Sequence, residues 1–208
     1  MPARVLLVLL LLVLGGCGRE EDPPPMGAAG DGPQAELVRA LREGGHVLVL
    51  RHTTTESTTD RVEVVGDCGQ QRNLNAQGRE EARQLGAALR RLGVPVGEVR
   101  SSPLCRTHET AELAFGRVRD DVDLISPGVI GTEADDLRRA ERLRGFAASA
   151  PRAGNTVLVT HTGSIGDAFG VSLLEGEALV FRPDAGQDRP RPVGRLGLDD
   201  LRVLAAGG

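Results

Sequence analysis

His46-Val47-Leu48-Val49-Leu50-Arg51-His52 and Thr156-Val157-Leu158-Val159-Thr160-His161 are two short β-prone runs, more than a hundred positions apart, that each end in a histidine. Their continuous apolar character, without in–out alternation, is that of strands buried on both faces, as in a parallel sheet covered by helices. Open parallel sheets bind ligands just beyond the carboxyl ends of their strands. Two such strands side by side would therefore bring Arg51, His52 and His161 onto one ledge. Two imidazoles and a guanidinium suit an anion far better than an apolar ligand.

Outward from these strands, periodicity predicts alternating helices and strands. A helix over Ala35–Glu43 carries Leu37, Val38 and Leu41 at helical spacing and stops at Gly44-Gly45. A second runs from Asn75, an N-cap candidate, to Leu92, with Ala82, Leu85, Leu89 and Leu92 on one stripe. A strand is expected over Glu98–Ser101, a helix over Cys105–Phe115, a strand over Val122–Ile125, and a charged helix over Ala134–Ala150 with Leu137, Leu143 and Phe146 inward. A short helix near Ile165–Phe169 and late edge strands over Glu177–Phe181 and Val193–Leu198 complete the series. Such alternation means α/β: a three-layer sandwich with a mostly parallel central sheet flanked by helices. The polar stretch Thr53–Asn73 lies at the carboxyl edge of the first strand, where a long loop is usually functional.

The N-terminus is of another kind. Arg4 precedes the wholly aliphatic run Val5–Leu14, and Gly15-Gly16-Cys17 follows. A basic start, a short apolar core and small residues at the end describe an export signal over residues 1–16, too short to span a bilayer comfortably. Leu14-Gly15-Gly16-Cys17 resembles the lipobox of bacterial lipoproteins, which implies lipidation of Cys17 and a membrane-anchored protein of the cell envelope, facing the periplasm or the exterior. An ordinary cleaved signal with an incidental cysteine is the alternative. Residues 17–33, rich in Gly, Pro and acidic side chains, read as a flexible tether, leaving 34–208 as one domain. A net charge of −4, no basic block, and the absence of Trp and Tyr argue against nucleic acid as a partner. Cys68 and Cys105 lack a zinc spacing; outside the cytoplasm they form either a disulfide or two buried free thiols.

Four ordered segments carry a family resemblance: Leu50-Arg51-His52-Thr53-Thr54-Thr55, Leu74-Asn75-Ala76-Gln77-Gly78-Arg79-Glu80-Glu81-Ala82, Ser101-Ser102-Pro103-Leu104-Cys105-Arg106-Thr107-His108-Glu109-Thr110-Ala111, and Leu158-Val159-Thr160-His161. Together they resemble the histidine phosphatase superfamily, with its phosphoglycerate-mutase-like fold. The resemblance implies a metal-independent, cofactor-free phosphomonoesterase in which His52 takes the phosphoryl group and Arg51, Arg106 and His161 bind it. Thr55 matches a small polar position after the nucleophile, and Arg72 and Asn73 can reach substrate from the long loop. The chemistry stands without the name. A neutral imidazole is a competent nucleophile near pH 7, and arginine forks suit the equatorial oxygens of a phosphoryl group.

The leaving-group acid is the weakest point. His161 is followed by Thr162-Gly163-Ser164, not by the Asp of one branch of that superfamily. Glu133 is the expected donor, with Asp135, Asp60 and Asp67 as competitors. Export points to a phosphorylated small molecule or envelope headgroup as substrate. The alternative is a non-catalytic phosphate-binding or scaffolding lipoprotein with a retained pocket. A metallohydrolase is disfavoured by the lack of an H-E-x-x-H or paired-carboxylate pattern. His46 and His108 read as structural.

Overall fold

The two histidine-ending runs are neighbours in one sheet. In the computed structural model, which describes residues 32–57, 63–184 and 190–207, β1 (Val47–Arg51) and β4 (Asn155–Thr160) pair in parallel with Arg51 opposite Thr160. The main-chain N–H of His52 continues the ladder by donating to the carbonyl of Thr160 at 3.1 Å. Both chains therefore leave the sheet at the same level, so the two histidines exit side by side.

The described elements also include α1 (Pro33–Arg42), α2 (Ala76–Arg91), β2 (Val96–Ser101), α3 (Cys105–Phe115), β3 (Arg119–Asp120), α4 (Glu133–Ala148), α5 (Thr162–Phe169), β5 (Ala178–Phe181), β6 (Pro192–Leu196) and α6 (Leu198–Ala206). The strand order is β3-β2-β4-β1-β5-β6. The first four of these are mutually parallel; β5 runs antiparallel to β1, and β6 antiparallel to β5. This is the α/β sandwich expected, with helices on both faces of a mixed, mainly parallel sheet.

Side-chain alternation along the strands builds two cores. Leu48, Leu50, Val157, Val159, Ala178 and Val180 face α1, α2, α3 and α6. Val47, Val49, Leu158, Leu179 and Phe181 face α4 and α5. Each fully buried aliphatic side chain contributes about 1.5–3 kcal/mol relative to exposure, so these central strands are the most firmly held part of the molecule. Gly86 lets α2 lie directly against α3, because a Cβ there would sit 1.9 Å from the carbonyl oxygen of Ala114.

Several sequence expectations are corrected. Residues Val122–Leu124 form a 3₁₀ turn, and the strand in this region is the short β3. The Asp121 carboxylate accepts the N–H of Asp123 at 3.1 Å, which offers the backbone a local turn in place of a ladder. Leu137 is 62 % exposed, because the buried stripe of α4 is Ala140, Leu143 and Ala147 and the first turn of the helix lies short of the core. β5 is not an edge strand: it sits between β1 and β6 with all four residues buried. α6 follows β6 where the sequence showed only a strand end. Pro33 occupies the first turn of α1, so the fold includes a residue assigned to the tether. The signal segment, Cys17 and Asp60 lie outside the described residues.

Candidate active site

At the carboxyl edge of β1 and β4 the rings of His52 and His161 lie with centroids 5.6 Å apart. His52 is 2 % exposed, and its Nδ1 lies 2.9 Å from the carbonyl oxygen of Thr53. A carbonyl can only accept, so Nδ1 carries the proton and Nε2 keeps its lone pair. Burial lowers the His52 pKa to about 3; the bond to Thr53 opposes this, and the charges of Arg106, Arg51 and Arg72 add to it. The ring is therefore neutral at pH 7.

His161 is the N-cap residue of α5, and its Nε2 lies 2.9 Å from Ser102 Oγ. That hydroxyl oxygen also accepts the Leu104 N–H at 3.3 Å, and with a second lone pair and its own proton it can serve either tautomer of His161. Burial first, then Arg106 and His52, hold the His161 pKa well below the ordinary imidazole value. It is a neutral ring and not a cation.

Arg106 stands in the first turn of α3, where free backbone N–H groups already favour an anion. Its Nη1 donates to both oxygens of Glu63, at 2.8 and 2.7 Å, and approaches the carbonyl of Arg72 at 3.4 Å. Arg51 donates from Nη1 to the carbonyl of Leu173 at 2.7 Å and from Nη2 to Glu175 at 3.3 Å. Burial lowers the pKa of both guanidinium groups, yet arginine remains charged at neutral pH. Nε of Arg51 and Nε of Arg106 are buried donors without a protein acceptor, and Nδ1 of His161 is a buried ring nitrogen without a protein partner. A cluster of such donors beside one nucleophilic nitrogen is what an equatorial phosphoryl group requires.

The loop that carries His52 is pinned from three positions on α2 and α3. The Thr53 N–H reaches Thr110 Oγ1 at 3.2 Å, and Thr53 Oγ1 donates to the Gly78 carbonyl at 2.8 Å. The Thr54 N–H and Oγ1 both donate to Glu81, at 3.1 and 2.7 Å. Gly78 is required here because a Cβ would fall 1.9 Å from the Thr54 oxygen. The second motif of the sequence thus serves the loop that carries His52.

Thr55 and Arg72 join the group through Glu175. Thr55 Oγ1 donates to its carboxylate at 2.8 Å, and Arg72 Nη2 lies 4.0 Å from it. Asn73 instead donates to the Cys68 carbonyl at 2.7 Å and holds the loop. Cys68 and Cys105 form a disulfide with a Cα–Cα distance of 5.7 Å, tying that loop to the start of α3. Glu133 is an exposed first-turn residue of α4 and contacts none of these side chains. Asp135 closes the capping box of the same helix with Thr132, and Asp67 caps the 3₁₀ turn at Cys68–Gln70. His46 bonds the Gly44 carbonyl and His108 pairs with Asp120, both away from this cluster. Among the described residues, no group of three or more His, Cys, Asp or Glu side chains is arranged to hold a metal ion.

Sequence reasoning missed Glu63, Glu175 and the role of Ser102. Ser102 lay within a quoted motif. Glu175 had no such signal, because the antiparallel direction of β5, which brings its leading loop to the end of β1, is seen only in the fold.

Fold and site together define an α/β protein with two histidines and two arginines gathered at the carboxyl edge of its sheet. Residues 47–126 match the model of the histidine phosphatase superfamily, branch 1. Solved structures similar to it include the protein histidine phosphatase SixA complexed with tungstate (TM-score 0.52, 14 % identity, covering 75 % of this chain and 99 % of that one). A phosphoserine phosphatase mutant from Entamoeba histolytica in complex with phosphoserine is likewise similar (TM-score 0.53, 13 % identity, 75 % and 98 % covered). So is Bacillus stearothermophilus YhfR (TM-score 0.52, 18 % identity, 71 % and 94 % covered). At these identities the likeness is one of fold. No curated protein sequence matches the chain.

Proposed function

We propose that the protein is a phosphomonoesterase that works through a phosphohistidine on His52. The observation that carries this reading is the His52 Nδ1–H bond to Thr53, which leaves Nε2 unprotonated within a ring of arginine and imidazole donors. Nε2 attacks phosphorus and the ester P–O bond breaks, its electron pair leaving with the alcohol oxygen. That oxygen takes a proton from a carboxylic acid. Water then attacks phosphorus, the P–N bond breaks, its electrons return to Nε2, and the carboxylate recovers a proton from the water. Arg51, Arg106 and His161 hold the three equatorial oxygens throughout.

Glu63 is the better candidate for the acid than Glu133, because it contacts Arg106, one of the phosphate donors, whereas Glu133 contacts none of them. One panel tests both claims. His52→Ala should abolish release from aryl and alkyl phosphates alike and leave no acid-stable or base-stable label on the protein. Glu63→Gln should lose alkyl phosphate turnover by about a hundredfold while sparing an aryl phosphate whose leaving group needs no acid. Retained turnover in His52→Ala removes the nucleophile; loss confined to Glu133→Gln restores that residue as donor.

The same reading takes the signal segment and Cys17 as a lipid anchor, which places the substrate, a phosphorylated small molecule or headgroup, in the cell envelope. The support is the sequence Leu14-Gly15-Gly16-Cys17. Cys17→Ser should move the protein from the membrane to the soluble fraction of the producing cell. An unchanged distribution rejects the anchor.

A further inference from the structure

Glu175 makes more contacts with the site than any role so far described requires. Its carboxylate accepts Thr55 Oγ1–H at 2.8 Å and the Thr55 N–H at 3.4 Å, pairs with Arg51 Nη2 at 3.3 Å, and lies 4.0 Å from both Arg72 Nη2 and His52 Nδ1. It thus stands on the Nδ1 side of the imidazole, behind the nucleophilic Nε2, where it cannot reach a departing alcohol on the far side of phosphorus.

We propose that Glu175 is a positioning residue that counter-charges the phosphorylated His52 and orients Arg51, at the cost of weaker binding of phosphate itself. The proposal rests on the phosphohistidine reading above. Attack by Nε2 while Nδ1 keeps its proton turns a neutral ring into an imidazolium. The ring is almost wholly buried, and burial opposes any positive charge on it. A fixed carboxylate 4.0 Å from Nδ1 favours that charge, and it does so more in the transition state than in the ground state, which is what accelerates a step. Against this, the same negative charge partly cancels Arg51 and Arg72, the cations that attract the substrate's dianion. The two effects have opposite signs, and a residue that merely shaped the pocket would not separate them.

Glu175→Gln provides the test, since the amide keeps the size and one acceptor oxygen but removes the charge. Burst-phase labelling with an aryl phosphate should show formation of the phosphoenzyme slowed by about tenfold or more. Inorganic phosphate, titrated calorimetrically into the same variant, should bind roughly threefold to tenfold more tightly. Glu175→Asp should recover part of the phosphorylation rate, and Thr55→Val, which removes one hold on the carboxylate, should fall between. Weaker or unchanged phosphate binding overturns the proposal, as does an unchanged or faster phosphorylation step. If Glu175→Gln does not fold, Thr55→Val read by the same two measurements decides the matter. Calorimetric binding needs no turnover, and absence of any phosphoenzyme in the unaltered protein would indict the phosphohistidine reading instead.

Discussion

The imidazole of His52 is held neutral by burial, and that has a consequence for stability as well as for chemistry. Its folded-state pKa, about 3, lies below the ordinary value of 6.5. Between those limits the unfolded chain binds a proton that the folded chain refuses, so stability is full above about pH 6.5 and is lost as pH falls toward 3. Within that window the group contributes a slope of up to about 1.4 kcal/mol per pH unit. His161, depressed for the same reason, adds a slope of the same sign. We expect His52→Asn to flatten the dependence of urea-unfolding free energy on pH between 6 and 5, where few carboxylates titrate. Equal slopes for the two proteins would mean that His52 is not a buried neutral group. Acidification is thus expected to weaken the fold before it protonates His52 in the folded state.

At the scale of elements, the disulfide joins the loop carrying Arg72 to the first residue of α3, beside Arg106. It closes a loop spanning 37 residues, for which the chain-entropy account gives a stabilisation of roughly 4 kcal/mol. Cys68→Ser with Cys105→Ser should therefore lower unfolding free energy by about 2–4 kcal/mol and raise KM for an aryl phosphate, because Arg72 and Glu63 lose their tether. A variant with unchanged KM would show the bridge to be structural only. Neither cysteine's spacing decided between bridge and free thiols; only the fold of the intervening loop does. Val122–Ile125 misled in the opposite way. Its apolar residues fit a strand, but the Asp121 side chain captures the Asp123 N–H and turns the chain.

Across the whole molecule, the central parallel pair β1 and β4 was legible because both strands are buried on both faces and carry unbroken apolar runs. Arg51, His52, Arg106 and His161 were legible because each follows directly from a strand end or opens a helix, within a few residues of an identifiable run. Glu63 and Glu175 were not, since nothing in the composition of Thr53–Asn73 or Leu173–Glu177 states which strand those loops return to. Strand direction supplies the missing information. Because β5 runs against β1, its leading loop meets the end of β1, and the carbonyl of Leu173 and the carboxylate of Glu175 become acceptors for Arg51. A chain emerging amino end first thus carries its histidine and first arginine long before their acceptors exist. Any fragment ending ahead of residue 173 leaves the guanidinium of Arg51 without the groups that aim it, so phosphate turnover reports on a completed chain and not on its amino-terminal half.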